Sequence, residues 1–110
     1  MHLNYKSNKL EKNLTDDRKL ISTYGQLAKT IKRRRKELTN AENLETIGKL
    51  PQLRLHPLSG ERVGEWSIDI KNNWRIIFSL DHEPIPTLDD GGVDLSKITI
   101  IKINSVEDPH

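Results

Sequence analysis

The chain has 110 residues, about the size of one domain and too short for a two-domain enzyme. Charged residues make up 31% of it and aromatic residues 5%, so we expect a small, mostly aliphatic core. No apolar run approaches the roughly 20 residues of a transmembrane helix, and the first residues lack a signal-peptide stretch. The sequence has no cysteine, which excludes disulfides and thiolate chemistry and suits a reducing compartment. We therefore expect one cytoplasmic domain over residues 1–110.

The net charge of +2 conceals an uneven distribution along the chain. Residues 1–40 carry eleven Lys or Arg against four acidic residues, whereas residues 81–110 carry two Lys against seven acidic residues. Such a basic run is usually the solvated face of a helix, but it can also bind a phosphate backbone. Lys32, Arg33 and Lys36 are therefore candidate contacts to a nucleic acid.

The first half of the chain is predicted to be helical after a short strand. Leu3 and Tyr5 alternate with polar residues, which indicates one short strand at most. Ser7 and Thr15 are residue types that cap helices by accepting hydrogen bonds from unpaired N–H groups. Apolar residues then recur at three- and four-residue spacing over residues 16–38, which predicts one amphipathic helix.

Two basic residues fall on the apolar stripe of this predicted helix. Arg34 and Arg35 occupy positions where the stripe would continue, so we expect their guanidiniums to reach solvent at the edge of the core.

Beyond them, Asn40 can cap a short helical turn that ends at Gly48.

Beyond residue 50 the apolar period changes from 3.6 to 2, which predicts strands. Apolar and polar residues alternate in three segments: 53–56, 66–71 and 74–80. Residues 71–73 supply a tight hairpin turn, because Asn tolerates positive φ, and residues 81–96 form a long loop. Residues 98–103 are apolar on both faces and predict a central strand. The order of elements predicts an α+β fold, with N-terminal helices packed on one face of a small twisted antiparallel sheet.

Strand alternation predicts a shared polar surface on this sheet. If the apolar side chains of the strands pack under the helices, the polar side chains between them must lie together on the opposite face. These polar residues are Arg54, His56, Ser67, Asp69 and Arg75, with Asn73 near the edge. The surface is a candidate site. Alternatively, Arg75 only pairs with Asp69 across the hairpin as an ordinary ion pair.

Two segments of this region carry a family resemblance. They read L-R-L-H-P-L-S-G-E-R over residues 53–62 and G-E-W-S-I-D-I-K-N-N-W-R-I-I-F over residues 64–78. They resemble the HigB toxins of bacterial toxin–antitoxin systems, within the RelE/ParE superfamily. The resemblance implies a ribosome-dependent endoribonuclease that enters the 70S ribosome and cuts mRNA without a metal or cofactor. It also implies a HigA-like helix-turn-helix antitoxin as partner, contact with operator DNA only through that antitoxin, and no membrane partner.

The resemblance implies roles for four residues at matching positions. His56 corresponds to a general acid–base, because an imidazole titrates near neutral pH. Arg75 corresponds to a clamp on two phosphate oxygens, and Asn73 to the hydrogen-bonding residue beside it. His110 corresponds to the terminal histidine of the family.

The sequence departs from the family pattern at two positions. Ser59 stands where active members carry a lysine, and Pro109 stands where they carry a tyrosine. Arg54 and Arg62 are our own candidate RNA contacts, a role not carried over from the family, and they could replace the missing cation. The alternative is a catalytically weak or inactive module of the same fold that acts by binding an antitoxin, the ribosome, DNA or gyrase. The His-Asn-Arg surface argues against a gyrase poison.

Overall fold

A computed structural model describes residues 1–108 as an α+β fold, and His110 lies outside the described residues. The α-helices in this part of the chain are α1 (Asn8–Thr15), α2 (Asp17–Tyr24), α3 (Ala28–Asn40) and α4 (Leu44–Gly48). The strands are β1 (His2–Tyr5), β2 (His56–Pro57), β3 (Glu65–Asp69), β4 (Arg75–Leu80) and β5 (Ile100–Glu107). None of these helices combines the length and apolar character that a bilayer crossing requires.

The single helix predicted over residues 16–38 is wrong, because the segment is divided between α2 and α3. Gly25 begins a short 3₁₀ turn between them with a φ of 55°, a conformation that costs glycine little. Leu20 before the break and Ile31 after it are both fully buried. The three- and four-residue spacing of apolar side chains therefore continues across the break, although the chain changes direction between α2 and α3. The spacing alone does not indicate that break.

The helix caps differ in part from the predicted ones. Ser7 caps α1 as expected, accepting a hydrogen bond from the third backbone N–H after it. The prediction for Thr15 is wrong: its hydroxyl donates to a carbonyl one turn back, and Asp16 caps α2 through its carboxylate. Asn40 is the last residue of α3, and the amide oxygen of Asn43 caps α4 instead.

The strands form one mixed sheet in the order β1-β5-β4-β3-β2. The prediction of an antiparallel sheet holds for β2 to β5, but β1 pairs with β5 in parallel. β5 lies between β1 and β4, which confirms the central position predicted from its apolar residues on both faces. β2 is shorter than the predicted strand over residues 53–56, because Arg54 has a φ of 46° and follows a 3₁₀ turn. The α+β class is confirmed, and the sheet is mixed rather than wholly antiparallel.

A β-bulge interrupts β5 and changes which residues face solvent. Two consecutive residues of β4 pair with Ser105 and Ile103, which leaves Asn104 as the extra residue. Beyond the bulge the alternation of side chains is shifted by one position. Glu107 consequently lies opposite Arg75 on the same face of the sheet.

The sheet packs against the helices with one face only. The buried cluster between them includes Leu14, Leu20, Ile31, Leu38, Leu44, Ile47, Leu53, Ile68, Ile76, Phe78, Ile101 and Ile103. The opposite face, called the outer face below, carries the side chains of His56, Ser67, Asp69, Arg75 and Glu107. Core packing has therefore separated the apolar and polar residues of the strands as their alternation predicted.

Arg34 lies inside this core rather than at its edge, so the expectation of a solvated guanidinium is wrong. The residue is 8% exposed. Its Nε donates to the carbonyl oxygen of Asp69 over 2.8 Å, and its Nη1 contacts Glu37 over 2.7 Å. The half-buried Arg35 donates to the carbonyl oxygen of Leu14. Both guanidiniums therefore connect α3 to neighbouring elements.

We expect Arg34→Met to destabilise the fold by about 2–4 kcal/mol, because the buried carbonyl of Asp69 and the Glu37 carboxylate would lose their partner. Arg33→Met is the matched control: this neighbour on α3 is exposed, so its loss should stay within about 0.5 kcal/mol. Urea denaturation of both variants measures the two values. Equal stabilities would show that the buried guanidinium contributes nothing to the fold.

Candidate active site

His56 opens β2 and faces Ser67 of β3 across the ladder. Its Nδ1 lies 2.7 Å from the carbonyl oxygen of Arg54. A carbonyl oxygen only accepts hydrogen bonds, so Nδ1 carries the hydrogen and donates it. In the neutral ring, Nε2 is consequently the nitrogen that can accept a proton. The local backbone thus favours the tautomer of His56 in which Nε2 carries no hydrogen.

Asp69 lies between two arginines on the outer face. Its Oδ2 is 3.4 Å from Arg54 Nη1, and its Oδ1 is 3.9 Å from Arg75 Nε. The second distance is too long for a hydrogen bond, and Oδ1 has no hydrogen-bond partner among the described residues. The predicted ion pair of Arg75 and Asp69 is present, but within residues 1–108 it leaves the guanidinium N–H groups of Arg75 without a hydrogen-bond acceptor. The three side chains carry a net charge of about +1.

A cavity of about 250 Å³ opens beside this cluster on the outer face. It is lined by Leu58, Ser59, Arg62, Arg75, Ile77 and Glu107. Leu58 and Ile77 supply aliphatic surface, and the other four residues supply a hydroxyl, two guanidiniums and a carboxylate. The cavity therefore combines an apolar wall with groups that bind polar ligands.

Arg62 pairs with two carboxylates rather than projecting freely into solvent. Its Nε contacts Glu65 Oε1, and its two terminal nitrogens contact the two oxygens of Glu107, each over 2.8 Å. The hydrogen bonds that Glu107 accepts from Arg62 and Ser105 lower the pKa of this carboxyl to about 2. Arg62 also lowers the pKa of Glu65, and the two carboxylates raise the pKa of the guanidinium. At neutral pH this cluster carries a net charge of about −1.

In the part of the chain that the structure describes, the acidic residues of this face are paired with arginines rather than clustered around a metal site. The outer-face carboxylates of Asp69, Glu65 and Glu107 each contact at least one guanidinium. Across residues 1–108, no three His, Cys, Asp or Glu side chains lie close enough to hold a metal ion.

The predicted site residues are brought together only in part. His56 and Arg75 share the outer face, with β3 between their strands and about 12 Å between their Cα atoms from strand geometry. Ser67 has the expected orientation, but it is completely buried, and its hydroxyl has no hydrogen-bond partner among the described residues. Asn73 is exposed in the β3–β4 turn and does not line the cavity.

The basic residues of α3 are separate from this site. Lys32, Arg33 and Lys36 project from the helix that covers the opposite face of the sheet. Lys32 also pairs with Asp17 of α2 over 3.2 Å. The helical side of the molecule therefore carries its own cationic surface.

Glu65 and Glu107 are the site residues that sequence reasoning missed. Glu65 is three residues from Arg62 and could have been proposed as its partner from that spacing alone. Glu107 is 45 residues away and meets Arg62 only through the sheet. Strict alternation from Ile103 would have turned Glu107 toward the core, and the bulge turns it outward instead.

Comparison with known proteins gives a relative in sequence and a neighbour in fold. No protein-family model matches the chain. The chain is 40% identical over 58 residues to an endoribonuclease HigB of Proteus vulgaris, a match that covers 51% of this chain and 63% of that protein, less than two thirds of its length. A YoeB/ParE toxin from Agrobacterium tumefaciens has the same fold, with a TM-score of 0.51, 12% identity and 100% coverage of both chains. The predicted resemblance to HigB toxins and the α+β fold of the RelE/ParE type are both confirmed.

Glu107→Gln should lower stability at neutral pH by about 1 kcal/mol, because the exposure of Arg62 screens much of the pair's energy. The folded pKa of about 2 lies below the ordinary 4.5, so the stabilisation is full above about pH 4.5 and disappears as the pH falls through 2. Urea unfolding of the wild type and the variant at pH 7 and pH 2.5 tests this. A stability difference of the same size at both values would contradict it.

Proposed function

We propose, for a chain that resembles HigB toxins in sequence and a YoeB/ParE toxin in fold, that the protein is the toxin of a toxin–antitoxin system and an endoribonuclease. One observation carries the proposal: an imidazole with an accepting Nε2 and two cationic side chains, Arg54 and Arg75, lie on the same open face of the sheet. The proposed substrate is mRNA on the ribosome, and the proposed reaction requires no metal.

The proposed reaction is attack of a ribose 2′-OH on the adjacent phosphorus. His56 Nε2 accepts the 2′-OH proton while the new O–P bond forms. The bond from phosphorus to the 5′-oxygen breaks, a 2′,3′-cyclic phosphate remains, and the leaving oxygen takes up a proton. Arg75 donates hydrogen bonds to the non-bridging oxygens, whose negative charge increases in the transition state.

The remaining members of the proposed site have supporting roles. Arg54 is 65% exposed and can contact a neighbouring phosphate while one side of its guanidinium forms the ion pair with Asp69. Asn73 would hydrogen-bond the RNA from the turn beside Arg75, and His110, in its protonated form, would donate a proton to the leaving oxygen. Arg62 would contact RNA only through the N–H groups that its carboxylate partners leave unoccupied.

The cations of α3 are proposed to contact the ribosome rather than the RNA that is cut. Lys32, Arg33 and Lys36 lie on the helical side of the sheet, whereas His56 and Arg75 lie on the outer face. Contacts of this kind are independent of sequence, because they involve the phosphate backbone. Two cationic surfaces on opposite sides allow ribosomal RNA and mRNA to be bound at the same time.

The proposed cellular partner is a HigA-like helix-turn-helix antitoxin, and the proposed compartment is the cytoplasm, where ribosomes and mRNA are found. Contact with operator DNA would occur through the antitoxin alone. Copurification with the product of the neighbouring reading frame tests this partner directly.

A second candidate function is a binding module that has lost catalytic power. The composition of the cavity favours it: Ser59 contributes no charge, and Arg62 is neutralised by Glu65 and Glu107. Under this alternative the outer face binds a partner without cutting RNA.

Induction in bacteria, followed by mapping of mRNA ends, separates the two candidates. We expect new transcript ends with the wild type and at least about 100-fold fewer with His56→Ala or Arg75→Ala, which remove proton transfer and phosphate binding. Lys102→Ala is the matched control, since it removes an outer-face cation that does not line the cavity. Intact transcripts with the wild type would refute the enzyme, and undiminished cutting by both site variants would refute the site.

The cavity also allows a gain-of-function test. Ser59→Lys adds a cation beside Arg75, where developing phosphate charge would be stabilised, so we expect about tenfold faster transcript cutting. Ser59→Met adds comparable bulk without charge and should produce no increase. Equal rates for the two variants would mean that cation supply does not limit the reaction.

A further inference from the structure

The cavity on the outer face contains a carboxylate that the proposed reaction does not use. Glu107 lines it together with Arg75, the proposed phosphate clamp. Phosphate binding gains nothing from a negative charge, so the carboxylate needs another explanation. Glu107 stays ionised because Arg62 holds its pKa at about 2, and it is therefore only an acceptor at neutral pH.

Glu107 retains one acceptor position for a ligand. A carboxylate offers about four lone-pair positions, two on each oxygen. Arg62 occupies one on Oε1 and one on Oε2, and the Ser105 hydroxyl occupies the other on Oε2. Within residues 1–108 no further donor contacts Oε1, so one position on this oxygen remains, and the side chain is 31% exposed. Arg62 and Ser105 also fix the orientation of the carboxylate, so accepting a further hydrogen bond requires little reordering.

The size and walls of the cavity suit a nucleobase. Its volume of about 250 Å³ equals that of about eight water molecules and can hold the roughly ten non-hydrogen atoms of a purine. Leu58 and Ile77 offer aliphatic surface to a flat ring, and the planar guanidiniums of Arg62 and Arg75 offer stacking surfaces. Proteins that recognise single-stranded RNA bind splayed-out bases in this way and read their edges by hydrogen bonds.

We infer that this cavity binds the base beside the phosphate held by Arg75, and that Glu107 accepts a hydrogen bond from the exocyclic amino group of that base. Adenine, cytosine and guanine each carry such a group, whereas uracil presents a carbonyl oxygen in its place. A carbonyl placed there faces the carboxylate acceptor with no hydrogen between the two oxygens, so uracil is disfavoured relative to the bases that carry an amino group. This inference rests on the proposed function and specifies its substrate.

The chain supplies a matched control for the role of Glu107. Glu65 also pairs with Arg62, and its pKa is also lowered, but it does not line the cavity. Its second oxygen accepts from Asn104 instead. Glu65→Gln therefore weakens the same guanidinium network without changing the surface that a base would meet. Glu107→Gln keeps the shape of the side chain but adds an N–H donor that can face the carbonyl of uracil.

The test is the base preference at mapped cut sites, corrected for base frequency in the transcripts. We expect the wild type to show one position, within two nucleotides of the cut, at which uracil is depleted about tenfold or more. Glu107→Gln should reduce this depletion below about threefold, whatever its overall rate, and Glu65→Gln should retain it. A purely structural role of Glu107 would change the number of cuts but not the ratio of bases.

Four outcomes would overturn the inference. Cutting by the wild type without uracil depletion, or unchanged depletion in Glu107→Gln, refutes the base pocket and leaves the endonuclease intact. Equal loss of depletion in Glu65→Gln attributes the preference to the Arg62 network rather than to the cavity. Absence of cutting by the wild type refutes the proposed function and this inference together.

Folding of the variants is checked by thermal unfolding of the purified toxin–antitoxin complexes. If Glu107→Gln does not fold, Leu58→Trp replaces it, because a larger side chain at this lining position fills the cavity without removing either partner of the Arg62 pairs. We expect this variant to lose the uracil depletion as well. Depletion at the wild-type level in a folded Leu58→Trp variant would exclude base binding in the cavity.

Discussion

The sheet has helices on one face only, and this asymmetry decides which side chains are available for chemistry. Ile68, Ile76 and Phe78 are fully buried against the helices, so the residues between them in sequence must face the other way. Asp69 and Arg75 reach the outer face for this reason, as members of strands whose other residues form the core. The candidate active site thus depends on the same burial that stabilises the fold, and a one-residue slip of β3 against β4 would destroy both.

Arginine serves three different purposes in this molecule, and its chemical environment distinguishes them. Arg34 is buried and connects a helix to the end of β3. Arg62 is neutralised by two carboxylates. Arg54 and Arg75 share the single carboxylate of Asp69, which leaves one positive charge in excess. The outer face consequently has an excess of positive charge around Asp69 and an excess of negative charge around Arg62.

The enzyme and the binding module share a fold, and the fold cannot choose between them. The distinction lies in chemistry: a fixed imidazole tautomer and an incompletely paired arginine favour catalysis, whereas the neutral Ser59 in the cavity favours binding alone. The bond from His56 Nδ1 to the carbonyl of Arg54 is informative here, because it orients a ring that a surface histidine would leave mobile. Arg54 can present that carbonyl because its left-handed backbone follows the 3₁₀ turn.

The sequence by itself determined the α+β class, the alternation over residues 66–80 and the hairpin turn at Asn72, whose φ is 54°. These features are local, because each depends either on the spacing at which apolar side chains repeat or on the backbone preference of one residue. Tertiary structure alone decided the break at Gly25, the parallel pairing of β1 and the bulge at Asn104 that turns Glu107 outward. Glu107 and its partner Arg62 are 45 residues apart in the sequence, and no local pattern predicts a contact over that separation. Only the order and register of the strands bring them together.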